Sequence, residues 1–332
     1  MSYLLTPLTE GTLPLPNRLV MPPMGTEKSD RDGHVNKELL DYYDEKTQGG
    51  YIGLVIVEHS YVSLEGKASP RQLSVAEDKT IAGLKKLAGV IHTNGSKAVM
   101  QINHAGSNTT EEATGATPLA PSAVMHPKRK TSPRELDTAE IEDIIEAFGQ
   151  AARRVKEAGF DGVEIHSAHG FLLNQFYSPL TNKRTDHYGG SLHNRINAHL
   201  AVIETIREKV GEDYPLLLRL GAADYMEGGA TIEDSTVAAQ EFEKAGVDIF
   251  DISGGLSGYS IPGLTGQGFF APLTEAIKEK VSIPVILTGG ITEARAAEKL
   301  LTQGKADLIG VGRAIFKDSS WAKKAVESLS SY

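Results

Sequence analysis

Gly162-Val163-Glu164-Ile165-His166-Ser167-Ala168-His169-Gly170-Phe171-Leu172-Leu173-Asn174-Gln175-Phe176 opens as a short apolar strand and ends as an irregular segment. Two histidines lie three positions apart where the strand runs out. Parallel α/β folds collect their chemistry at such strand ends. Two imidazoles there can hold a substrate oxygen, share a metal ion, or sit satisfied inside a loop.

Working outward, Gly162–Ile165 is one of eight short apolar runs. The others are Arg18–Met21, Ile52–Val57, Lys97–Ile102, Pro215–Leu220, Ile249–Ile252, Ile283–Leu287 and Leu308–Val311. Runs apolar on both faces suit parallel strands covered on both sides. Amphipathic stretches alternate with them: Lys37–Gln48, Asp78–Thr93, Thr138–Ala158, Leu192–Val210, Thr231–Ala245, Leu273–Lys280 and Thr292–Gln303. In the clearest, Asp137 with Glu140 forms an N-terminal capping pattern and Gly159 a stop. The phrase Ala158-Gly159-Phe160-Asp161 returns as Ala245-Gly246-Val247-Asp248, and Gly304 with Lys305-Ala306-Asp307 echoes it. It reads as a helix stop, a tight turn and entry to the next strand.

Eight strand–helix units predict an α/β chain folded as one (β/α)8 TIM barrel domain over residues 1–332. A doubly wound open sheet would show a glycine-rich turn after its first strand. Pro22-Pro23-Met24-Gly25 stands there instead. Two connections exceed simple barrel loops, residues 105–136 and the glycine-rich 254–268, and both read as lid excursions.

Composition narrows the function. The formal net charge is −9 and there is no cysteine. Only Met125–Lys130 is locally basic, and it reads as a solvated loop. Nucleic-acid and anionic-membrane partners are disfavoured, and thiolate metal sites, iron–sulfur clusters and cysteine nucleophiles are excluded. The N-terminus lacks the pattern of a signal peptide, and no apolar run reaches the ~20 residues that span a bilayer. A soluble cytoplasmic protein is expected, with a homo-oligomer left open.

At the strand ends stand His59, Gln101, His104, His166, His169, Arg219, Asp251 and Ser253. Gly289-Gly290 and Gly312-Arg313 follow the last two strands, where barrels of this kind bind phosphate. Backbone N–H groups of such turns approach an anion closely, and Arg313 adds a charge-assisted contact. Arg219 interrupts the apolar run Leu216–Leu220. A guanidinium there calls for an electron-rich ring or a buried carboxylate, Asp251 or Glu164. A metal at His166 and His169 would need a third ligand from His59, His104, Asp251 or Glu164. Phosphate turns with Arg219 fit an organic cofactor better, so no metal is expected.

The segment His166–Phe176, followed by Ser178-Pro179 and Asn182–Arg195, resembles the signature of the old yellow enzyme family. Pro16-Asn17-Arg18, Met100–Gly106, Leu218-Arg219-Leu220, Thr288-Gly289-Gly290 and Gly310–Arg313 match in the same order along the whole chain. The chain resembles the bacterial branch related to the flavin domain of 2,4-dienoyl-CoA reductase. It stops where those larger relatives add cluster and second nucleotide domains.

The resemblance implies an FMN-dependent oxidoreductase using NADH or NADPH as reductant and a small-molecule electron acceptor. It implies that backbone at Pro23, Met24, Gly25 and His59 lines the flavin, with Gln101 on the pyrimidine edge and Arg219 near N1 and O2. Gly289, Gly290, Gly312 and Arg313 would hold the phosphate. His166 and His169 would hold the oxygen of an α,β-unsaturated carbonyl, in a ping-pong hydride transfer. Two positions depart from the family. Phe171 stands where many members carry a proton-donating tyrosine, so Tyr259, Tyr188 or water would supply the proton. Gly25 stands where well-known branches carry cysteine or threonine, with Thr26 adjacent. Quinones, nitro compounds, O2 or ferric ions are therefore alternative acceptors, as is a flavin-binding role with little turnover.

Overall fold

All eight apolar runs form strands of one closed parallel barrel. In the computed structural model, which describes residues 2–330, these are β1 (Leu19–Met21), β2 (Leu54–Tyr61) and β3 (Lys97–Asn103). A two-stranded ladder follows, β4 (Leu119–Ala120) and β5 (Arg134–Glu135). The barrel resumes with β6 (Gly162–Ser167), β7 (Leu216–Gly221), β8 (Ile249–Ser253), β9 (Val285–Thr288) and β10 (Leu308–Gly310). The closed order β1-β10-β9-β8-β7-β6-β3-β2 makes β3 and β6 neighbours. The expected excursion 105–136 thus leaves the barrel and returns to it, carrying β4, β5 and the helical turn Glu111–Thr114. No described helix is long and apolar enough to cross a membrane.

Side chains alternate along each strand, which divides the core. Val20, Leu54, Ile56, Val99, Leu217, Ile249, Ile286 and Leu308 form an inner cluster, sealed by Leu8, Leu13 and Leu15 from the N-terminal segment. Leu8 and Leu15 pair as an antiparallel bridge, which folds that segment back on itself. Residues of opposite parity, such as Val55, Val57, Val163, Ile165, Leu216 and Leu218, pack in a larger cluster with the surrounding helices. Two positions beyond the inner apolar layer, the same parity yields Gln101, Arg219, Asp251 and Thr288. The apolar layer therefore supports a polar layer at the C-terminal rim.

The repeated phrase closes the barrel's other end. Asp161, Asp248 and Asp307 each use Oδ2 to accept the N–H at the start of the neighbouring strand, from Ala98, Leu216 and Val285, at 2.8, 2.8 and 3.0 Å. Each also donates its own N–H to the carbonyl of that same residue, at 2.7, 2.8 and 2.9 Å. The acid is needed because these strand-leading N–H groups lack a ladder partner.

Helix boundaries largely follow the capping signals. Asp137 and Glu140 form a reciprocal capping box on Thr138–Glu157, and Gly159 terminates it at φ +83°. Two expectations are corrected. The stretch Leu192–Val210 is two helices, Leu192–Arg195 and Asn197–Val210, separated at Ile196. The segment after His169 is not irregular throughout: Leu172–Tyr177 is a helix. All six of its residues are buried, so it shows no polar face and no amphipathic period. Arg313–Lys317 and Trp321–Ser330 are additional helices.

Candidate active site

The C-terminal rim opens into a cavity of about 790 Å³. Its lining includes Pro23, Met24, Gly25, His59, Gln101, His166, His169, Arg219, Gly289, Gly290, Gly312 and Arg313. Every residue expected from the sequence to bind a cofactor or substrate oxygen therefore lines one space. Phe171 and Tyr259 line it too. Tyr188 does not; it is buried against Phe176 and His187, which removes it as a proton donor. Thr26 also faces elsewhere, donating its hydroxyl to Glu58 Oε2 at 2.6 Å.

The two histidines meet edge to face, with ring centroids 5.1 Å apart. His166 belongs to β6, whereas His169 sits in a turn with φ +60°. A left-handed non-glycine residue is costly and persists only when its surroundings hold it. Here His169 N–H donates to Gly254 O at 3.3 Å. Its carbonyl accepts from Asn108 Nδ2 at 3.3 Å, and its Nε2 pairs with Ser253 Oγ at 2.7 Å. Gly170 follows at φ +75°, its N–H bound to Asn174 Oδ1 at 2.8 Å. A Cβ on Gly170 would come 2.4 Å from His126 Nε2, so no side chain fits.

Both imidazoles are neutral near pH 7. Burial is the main cause holding His166 well below the usual histidine range, with His169, Arg219 and His59 adding to it. Burial and then Arg219 do the same to His169. Each ring thus offers one N–H rather than a fixed charge. The Phe171 ring packs against the rings of both His166 and His59, 4.9 and 5.2 Å away. Tyr259 is exposed, at 62%, with its ring 5.6 Å from that of His169.

On the floor, Gln101 Nε2 donates to Glu164 Oε1 at 2.7 Å. Arg219 Nε lies 3.1 Å from Asp251 Oδ2, and Thr288 Oγ1 donates to Asp251 Oδ1 at 3.1 Å. Burial pushes Glu164 well above the carboxylate range, reinforced by Asp251, and burial raises Asp251 as well. Of the two partners foreseen for Arg219, the buried carboxylate is present as Asp251, and the residue also lines the cavity.

The opposite end is a glycine cradle. A Cβ on Gly290, whose φ is +67°, would lie 2.3 Å from Gly266 O and 2.6 Å from the Phe269 ring. A Cβ on Gly312 would lie 3.3 Å from Met24 Sδ. Backbone is thereby exposed to the cavity beside Arg313. Among the described residues, no group of three or more His, Asp or Glu is placed to hold a metal ion.

Sequence reasoning missed Lys128, Asn108 and Phe316 as lining residues, whereas the strand-end residue Ser253 does line it. The basic run Met125–Lys130 is exposed at Lys128 yet reaches the cavity mouth, where Nζ contacts Ser257 O at 3.3 Å. Its charge was the available signal.

Comparison with known proteins decides the family. Residues 3–331 match the NADH:flavin oxidoreductase / NADH oxidase family. The chain belongs to that family.

Among curated relatives, an NADH oxidase from Thermoanaerobacter brockii is 45% identical over 96% of this chain and 50% of its own length. A metal reductase from Desulforamulus reducens is 38% identical over 98% of this chain and 49% of its own. An NADPH dehydrogenase from Halalkalibacterium halodurans is 40% identical over 95% of this chain and 91% of its own. The chain thus spans about half the length of the first two. Among solved structures, 2-naphthoyl-CoA reductase with 2-naphthoyl-CoA superposes with a TM-score of 0.93 at 31% identity, covering 98% of this chain and 52% of that one. Morphinone reductase with tetrahydroNAD gives 0.85 at 28% identity, covering 98% and 90%. The barrel is that of the old yellow enzymes, as the strand-end residues implied.

The cavity fits the family's FMN. Arg219 and Gln101 supply polar atoms at one end, and a glycine cradle, in which Gly290 leaves no room for a side chain, supplies backbone at the other.

Proposed function

We propose that this chain is an FMN-dependent NAD(P)H oxidoreductase that reduces an activated alkene, an α,β-unsaturated carbonyl, or a similar acceptor. The observation that carries this reading is the pair of neutral histidines, 5.1 Å apart, over a cavity floored by Arg219. When bound, FMN supplies hydride exchange between nicotinamide and acceptor. The chain's residues do the rest. Gln101 and Arg219 hold the ring edge, and Gly289, Gly290, Gly312 and Arg313 hold the phosphate. His166 and His169 donate hydrogen bonds to a carbonyl oxygen and polarise the conjugated alkene. One cavity serves both nicotinamide and acceptor in turn, which is ping-pong behaviour. Tyr259, exposed beside His169, is the side chain placed to return a proton.

Phe171 favours a second reading. It has no proton to give, so acceptors that need no carbon protonation, such as quinones, nitro compounds, O2 or ferric ions, suit the site. The names NADH oxidase and metal reductase among its relatives support this. A flavin-binding role with little turnover is the third outcome.

The test is spectroscopic. Purified protein should be yellow, bleach anaerobically with NADH or NADPH, and recover its colour with cyclohexenone. Recovery only with quinone, nitro or ferric acceptors would select the second reading. A colourless protein that FMN cannot reconstitute would sink both.

A further inference from the structure

His59 follows a break in the barrel ladder. β2 pairs with β3 in register from Leu54↔Lys97 to Val57↔Met100, and then Ser60 faces Ile102. Glu58 and His59 thus oppose the single residue Gln101. Such a bulge re-aims side chains. Glu58 turns to Thr26 and Tyr43, while His59 enters the cavity beside Phe171. Glycine at position 25 leaves the ring uncrowded: a Cβ there would stand 3.2 Å from His59 Nε2.

Two contacts set the proton on this ring. Ala68 N–H donates to Gln72 Oε1 at 2.6 Å, which assigns the amide's oxygen and directs its NH2 to His59. That NH2 donates to the His59 carbonyl at 3.0 Å and to ring Nδ1 at 2.7 Å. Nδ1 is therefore an acceptor, and the ring hydrogen sits on Nε2, the atom beside Gly25. Burial, with Arg219, lowers this imidazole to about 4, so it is neutral near pH 7.

We propose that the His59 side chain is a third N–H donor of the cavity, hydrogen-bonding a carbonyl-type oxygen beside Gly25, with Gln72 as the positioning residue that fixes its tautomer. The proposal rests on the FMN reading of the site and goes beyond a backbone role for His59. The oxygen has two sources of the same chemistry, a ring carbonyl of the flavin or the bound substrate.

The experiment uses FMN-loaded protein, with His59→Leu removing the donor, His59→Gln retaining an N–H, and Gly25→Ala crowding Nε2. Two quantities are read: the flavin midpoint potential without ligand, and the dissociation constant of 4-hydroxybenzaldehyde from its charge-transfer band. If the flavin supplies the oxygen, His59→Leu lowers the potential. If the ligand supplies it, the potential stays and binding weakens about fivefold, the effect of one neutral hydrogen bond. In both cases His59→Gln recovers most of the change, and Gly25→Ala moves the same quantity in the same direction. FMN-loaded His59→Leu with neither quantity moved would overturn the donor role. Should that variant fold poorly, histidine-labelled wild type decides by nitrogen NMR: a protonated Nδ1 on His59 overturns the proposal, and a protonated Nε2 supports it. Failure of the wild type to bind FMN would overturn the site reading itself, a distinct result.

Discussion

Arg219 and Asp251 are direct register partners on β7 and β8, with Nε 3.1 Å from Oδ2, yet neither atom makes a hydrogen bond within the protein. The pair sits at ion-pair distance in a direction unsuited to a hydrogen bond. The arginine is thereby neutralised in part while facing the cavity. Removing one partner of a buried pair costs about 3–5 kcal/mol when the other charge stays ionised. Asp251 and Glu164 can instead take up protons, since burial already raises both. Arg219→Ala is therefore expected to fold with a lower melting temperature and to release FMN readily. Flavin fluorescence after dilution measures the release, and Arg219→Lys should lie between. Unchanged FMN retention in Arg219→Ala would remove it from the flavin cradle.

His166 and His169 are expected to act on the ligand, not on the cofactor. His166→Ala should abolish the charge-transfer band with phenols while FMN remains bound. Ser253→Ala removes the 2.7 Å partner of His169 Nε2 and should weaken phenol binding about fivefold, through loss of one neutral hydrogen bond. A His166→Ala protein that titrates with phenol like wild type would contradict its donor role.

Phe171 lies 4.9 Å, ring to ring, from His166. Phe171→Tyr should raise cyclohexenone reduction if proton return limits it; general acid catalysis contributes typically about 10²–10⁴-fold. A screen of alkene, quinone, nitro and ferric acceptors with both proteins reads this out. A strong rise for alkenes alone would mark the native acceptor as something other than an alkene. No rise would place proton return elsewhere, and Tyr259→Phe then tests the flap tyrosine.

Acid should destabilise the protein through buried histidines. His199 bonds Ser167 Oγ through Nε2 at 2.8 Å and stacks on Phe242, and burial lowers it from 6.5 to about 3. Between these values the unfolded chain binds the proton and the folded chain does not. Its contribution to stability is thus full above pH 6.5 and falls as the pH drops towards 3. His199→Gln should flatten urea-measured stability between pH 7.5 and 5 relative to wild type. An unchanged slope would contradict the buried neutral ring.

The barrel was legible because its signals are local. Apolar runs of strand length, the Asp137–Glu140 pair and the recurring glycine–aspartate phrase each act within a few residues. Leu172–Tyr177 was illegible because burial on every side erases the periodicity that marks a helix. Lys128 was misplaced because charge alone does not say which cavity a loop overhangs.

Two neighbouring residues separate the remaining contributions. The chain order alone determined that Glu58 and His59 stand at the end of the second strand, just as it determined eight strands and the residues at their ends. Only the tertiary structure decided that Glu58 leaves the cavity and His59 enters it. A one-residue slip against β3 inverts which face a side chain occupies, and that slip depends on pairing with a strand some forty residues away. The same holds for Arg219 and Asp251, or His169 and Ser253, which lie on different strands or loops. Their meeting is set by register and barrel closure, which no local pattern encodes.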